Sequence, residues 1–122
     1  MDFPTALPPT AAAARAAVAA LLVAEGRPLD TTAADDALLV VSELVTSAIR
    51  HGGGLTSFEA RFSDARLHLS VGDASTAPPV ARAPSPGRTG GYGWPLVQCL
   101  TEEAAVVTGA HGKTVTTVLH MA

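Results

Sequence analysis

A single cysteine, Cys99, stands in 122 residues, so no internal disulfide can staple the fold, and the chain suits a reducing, cytoplasmic setting. Aromatic residues are almost as scarce, with one Trp, one Tyr and three Phe. A core built from this chain therefore consists mainly of small aliphatic side chains. Charge is sparse and slightly acidic: eight Lys and Arg stand against eleven Asp and Glu, for a net charge of −3. No basic stripe exists to neutralise phosphates, so nothing points to direct nucleic-acid binding. Long hydrophobic runs are missing too. Ala11 to Ala24 is apolar, but Arg15 interrupts it and it is too short to cross a bilayer. The N-terminus lacks the basic start and cleavage pattern of a signal peptide, and no membrane association is expected. No repeat period is visible.

What is present is hydrophobic content of 48%, enough to exclude disorder. The length bounds the chain to one domain, residues 1–122, with one core. Asp35 to Gly54 is its most informative stretch. Leu38, Val41, Val45, Ala48 and Ile49 recur at three- and four-residue steps, with Leu39 and Leu44 widening the stripe. That spacing predicts an amphipathic helix over 35–51, ended by Gly52-Gly53-Gly54. Glu43, Ser47 and His51 stack along one side of it. Alone, Glu43 reads as a solvated acid at the helix edge.

Around this helix the chain reads in order. Phe3 to Pro9 is proline-punctuated, a short edge strand or a tail. Thr10 can cap a helix from Ala11 to Glu25, packing through Val18, Leu21 and Leu22 and ended by Gly26 and Pro28. Ser57–Phe62 and Leu67–Val71 alternate apolar with polar residues and predict a hairpin. Thr76 to Gly91 carries four prolines and no apolar period, the pattern of a lid, a binding loop or a disordered segment. Trp94–Leu100 predicts a short helix with Pro95 in its first turn. Val106–Thr108 and Thr114–His120 predict a closing hairpin. The fold class is α+β: helices packed on one face of a mixed or antiparallel sheet of four or five strands.

Three motifs punctuate these elements. Glu43 leads the central helix, Asp73 follows a strand in VGDAS, and Thr89-Gly90-Gly91-Tyr92-Gly93-Trp94 precedes a helix. Each alone is weak, since a glycine pair is often a mere turn and an Asp at a strand end often a turn residue. Competing motifs fail. Gly112-Lys113-Thr114 ends like a P-loop, but Val107 occupies the glycine position that a P-loop needs, and Leu96 occupies the third glycine of a dinucleotide fingerprint. His51, His68, His111 and His120 lack metal-ligand spacing.

In order and spacing the motifs resemble the GHKL (Bergerat-fold) ATPase and kinase superfamily, in the small, actinobacterial form of anti-sigma-factor serine/threonine kinases. The family pattern E-L-V-T-N-A-x-R-H-G is met by Glu43, Leu44, Val45, Thr46, Ala48, Arg50, His51 and Gly52; Ser47 stands where the family has Asn. The resemblance implies a two-layer α/β sandwich binding ATP and Mg2+. It makes Glu43 the catalytic carboxylate that orients the attacking hydroxyl, and Asp73 the acceptor for adenine's exocyclic amine. Ser47 becomes the position of the metal ligand. Arg50, His51, Gly90, Gly91, Tyr92, Gly93, Trp94 and Thr114 become nucleotide contacts. Glycines allow close approach to phosphates, and a helix N-terminus favours them electrostatically.

Implied partners are proteins, a sigma factor and an antagonist carrying the phosphorylated serine, and the family form admits a homodimer. Ser47 leaves two readings open. One is a regulatory ATP-dependent kinase; the other is an interaction module of the same fold with little or no ATP binding. A histidine-kinase catalytic domain is the weaker expectation, because no phosphoacceptor helix is recognisable.

Overall fold

The computed structural model describes residues 7–78 and 93–121. Helix α1 spans Ala11–Ala24, and Thr10 caps it by accepting a hydrogen bond from the Ala13 N–H at 3.1 Å. Helix α2 spans Thr32–Arg50, with Thr31 accepting from the Ala34 N–H at 3.1 Å. It therefore starts three residues before the expected Asp35. Thr31 is the stronger cap, and Asp35 falls in the first turn, where a carboxylate favours the helix dipole.

The buried face of α2 is also rotated from the expected stripe. Ala34, Ala37, Val40, Val41, Leu44, Val45 and Ala48 are buried, while Leu39 and Ile49 are 41% and 43% exposed. Apolar residues at 37–41 run consecutively, so their period alone did not fix which side faces inward. The small Ala34 and Ala37, one turn apart, are what allow close packing there.

Strands β1 (Leu55–Ser63) and β2 (Arg66–Asp73) form the first hairpin, and β3 (Glu103–Thr108) and β4 (Lys113–His120) the last. They make one antiparallel sheet in the order β1-β2-β4-β3. Helix α3 spans Gly93–Leu100 and leads into β3. The first hairpin turns through Asp64 and Ala65, at φ 53° and 58°, between the paired Ser63 and Arg66. This two-residue left-handed turn matches the strand twist.

Leu67, Leu69 and Val71 of β2 and Val115 and Leu119 of β4 face the helices and close the core with Val18, Leu21 and Leu22 of α1. Strand alternation sends every second residue inward. It gives β2 and β4 one helix-covered face and one polar face carrying His68, Ser70, Thr114 and Thr116. Elsewhere the guanidinium of Arg66 grips Glu102 at 3.0 and 3.3 Å, across the ends of β2 and α3. This contact raises the Arg66 pKa and lowers that of Glu102.

Of the N-terminal strand or tail over 3–9, residues 3–6 lie outside the described residues, and 7–9 form neither helix nor strand. Most of the expected 76–91 lid lies outside them as well. No helix among the described residues is long and apolar enough to cross a membrane.

Candidate functional site

One cavity of about 260 Å3 opens between α2, the ends of β2 and β4, and the start of α3. Its apolar wall comes from Leu44, Val71, Val97 and Val115. Glu43, Thr46, Ser47, Arg50 and His51 line it from α2, and Gly93 and Trp94 from α3. The same helix that buries Leu44 and Val45 thus presents its neighbouring turn positions to the cavity. Asp73 and Lys113 line it from the sheet.

Asp73 is held from several sides. It continues the inward-facing series Leu67, Leu69, Val71 to the last residue of β2, and is only 6% exposed. Its Oδ1 accepts from the Ser75 N–H at 2.9 Å, closing a local turn. Gly52, just past the end of α2, packs against it: a Cβ there would lie 2.5 Å from the Asp73 Cγ. On the other side, a Cβ at Gly112 would collide with the Asp73 carbonyl oxygen. Gly52 therefore lets the helix end close on the Asp73 side chain, and Gly112 lets the β4 entry close on its backbone.

Lys113 completes this cluster. Its Nζ lies 3.0 Å from Asp73 Oδ1 and 2.9 Å from Oδ2, and the Lys113 and Asp73 side chains are 9% and 7% exposed. Direct cross-strand pairing of Asp73 with Lys113 puts both on the helix-facing side. Across the cavity, Glu43 is half-buried against the start of α3. A Cβ at Gly93 would stand 3.0 Å from Glu43 Oε2, so glycine there leaves the carboxylate its place.

Of the residues singled out from the sequence, Glu43, Ser47, Arg50, His51, Asp73, Gly93 and Trp94 gather on this cavity. Thr114 is not among its lining residues: it pairs with Gly72, one position out of phase with Asp73, on the opposite sheet face. Gly90, Gly91 and Tyr92 lie outside the described residues. Lys113 was missed. The signal for it was parity, since carrying the inward set Leu119, Thr117, Val115 back two residues arrives at Lys113. Thr46, Ser75 and Pro78 also line the cavity without having been singled out. Among the described residues, no group of three or more His, Cys, Asp or Glu side chains gathers as a metal site.

A half-buried carboxylate on a helix, a buried Asp at a strand end and an apolar wall thus share one cavity. The chain belongs to the family described as the histidine kinase-like ATPase domain, which it matches over residues 4–119. Among solved structures it is similar to the RsbU and RsbW domains of Rv1364c from Mycobacterium tuberculosis. That match has a TM-score of 0.70 and 22% identity, and covers 99% of this chain and 31% of that one. It is also similar to the histidine kinase domain of the blue-light activated histidine kinase from Erythrobacter litoralis EL346. There the TM-score is 0.55 and the identity 23%, over 91% of this chain and 60% of that one. The chain thus spans less than two thirds of either structure, and at these identities the likeness is one of fold. No curated protein matches the sequence.

Proposed function

We propose that this chain is an ATP-binding regulatory protein of the anti-sigma-factor serine/threonine kinase type, which binds a sigma factor and phosphorylates an antagonist protein. The observation that carries the reading is the convergence of Glu43 and Asp73 on one cavity, in a chain of the histidine kinase-like ATPase family.

The residues present fit a nucleotide. Asp73 offers a carboxylate acceptor at the sheet end for an exocyclic amine. Leu44, Val71, Val97 and Val115 offer an apolar wall for a flat base, and Arg50 a cation on the α2 side. Bound ATP with Mg2+ would supply the transferable phosphoryl group and neutralise its charge. Ser47, with Glu43 one turn before it, is the group that would hold the metal. Such an ion keeps several waters and takes few protein ligands. Glu43 would orient the partner's serine hydroxyl and accept its proton.

The test is incubation with γ-labelled ATP, magnesium and host-cell proteins. Label should reach a serine or threonine, and Glu43→Gln should abolish the labelling while leaving ATP affinity within about threefold, since the carboxylate acts on the hydroxyl rather than the base. Labelling that survives Glu43→Gln, or none with the wild-type chain, would contradict the kinase reading.

A second reading has its own support. The Asp73 carboxylate is already engaged by Lys113, and Ser47 is a short side chain at the metal position. Both favour an interaction module of the same fold with little or no ATP binding. Failure to bind ATP even at millimolar concentration would select it.

A further inference from the structure

We propose that Lys113 is a specificity-determining residue of the pocket, donating a hydrogen bond to the ring nitrogen N1 of adenine while Asp73 accepts from the exocyclic amine beside it. The inference rests on the nucleotide-site reading above and names a second group that selects the base.

Asp73 Oδ1 accepts from the Ser75 N–H at 2.9 Å and from the Lys113 ammonium at 3.0 Å, whereas Oδ2 meets the ammonium alone, at 2.9 Å. A carboxylate oxygen accepts two hydrogen bonds and an ammonium donates three. At least one acceptor site on Oδ2 and one N–H on Lys113 are therefore left, on atoms a single hydrogen-bond length apart. Both side chains are more than nine-tenths buried yet line the cavity, so a group that enters there is what can use them. Neither is free to wander. Gly52 packs against the Asp73 side chain, and the β2–β4 register sets Lys113 directly opposite Asp73.

A fixed acceptor beside a fixed donor reads a base edge in one order. Adenine's exocyclic amine is a donor and its N1 an acceptor, the complements of Oδ2 and the ammonium. N1 lies across the base from the nitrogen that carries the sugar, so a base entering ring-first brings this edge to the buried pair. Guanine and hypoxanthine reverse the order. Their 6-oxo group sets an acceptor against the carboxylate, and their N1–H sets a donor against the ammonium. A lone carboxylate would meet one mismatch there; the pair meets two. A 6-oxo base could restore the match only when turned over, with its sugar and phosphates directed away from the proposed metal and phosphate positions at Ser47 and Arg50.

Calorimetric titration of the whole chain with ATP, 1-deaza-ATP and ITP, each with magnesium, tests this. In 1-deaza-ATP a C–H replaces N1, and it should bind roughly ten- to a hundredfold more weakly than ATP, the worth of one charge-assisted hydrogen bond. ITP should bind more weakly still, by about a hundredfold or more. In Lys113→Met, ATP and 1-deaza-ATP should bind alike. Lys113 is the sole lysine of the chain, so a readout exists even where that variant fails to fold. With 15N at lysine Nζ the wild type gives one side-chain ammonium signal, and ATP should shift it further than 1-deaza-ATP does. Equal wild-type affinity for ATP and either analogue, an Nζ signal shifted alike by ATP and 1-deaza-ATP, or a folded Lys113→Met chain that still favours ATP over 1-deaza-ATP overturns the inference alone. Binding of none of the three by the wild type would instead remove the underlying nucleotide-site reading, and this inference with it.

Discussion

Removing either partner of the Asp73–Lys113 pair would strand a charge that is less than one-tenth exposed. An uncompensated buried charge costs about 3–5 kcal/mol, even where the intact pair contributes little net stability. Asp73→Asn should therefore lower unfolding free energy by about that much, read by chemical denaturation. Adding Lys113→Gln should recover part of the loss, with a coupling of about 1–3 kcal/mol. A single variant within about 0.5 kcal/mol of wild type would mean that the pair is solvated. Asp73→Asn alone thus confounds stability with base recognition. Ser47 allows a cleaner substitution. It is exposed at the cavity rim on α2, so an amide there meets no tight packing. Ser47→Asn should tighten magnesium-dependent ATP binding by about tenfold, through one added oxygen ligand, with the melting temperature unchanged. A folded variant with no such gain would contradict a metal-holding role for position 47.

Among the elements, the first hairpin carries the clearest local strain. Ala65 holds φ 58° in a turn where both central residues are left-handed. That conformation disfavours a residue with a Cβ, whereas glycine adopts it freely. Ala65→Gly should stabilise the fold by about 0.5–1 kcal/mol, seen as a higher denaturation midpoint at unchanged slope. A lower midpoint would mean that the added freedom of the unfolded chain outweighs the relief. The hairpin itself was legible, because Phe58, Ala60 and Phe62 alternate against Leu67, Leu69 and Val71 with a short polar link between them. The orientation of α2 was not. Its apolar residues exceed one face, and the alanines that mark the packed side carry little hydrophobic signal. The sheet face that Thr114 takes was not legible for a related reason: β4 is rich in threonine, which suits either face of a sheet.

For the whole molecule, the order of elements and the α+β class were readable from period and punctuation alone. That Glu43 and Asp73 share one cavity follows from topology. β2 lies beside β4 in the sheet, under α2, and β2 ends and β4 begins at the helix end marked by Gly52. The buried ion pair was not readable, since it needs the β2–β4 register, which no local pattern specifies. The proposal that this cavity holds ATP with magnesium stands or falls on isothermal titration of the wild-type chain with ATP, with and without magnesium. Saturable one-site binding that strengthens when magnesium is added is the predicted result; no heat of binding up to millimolar ATP would contradict it.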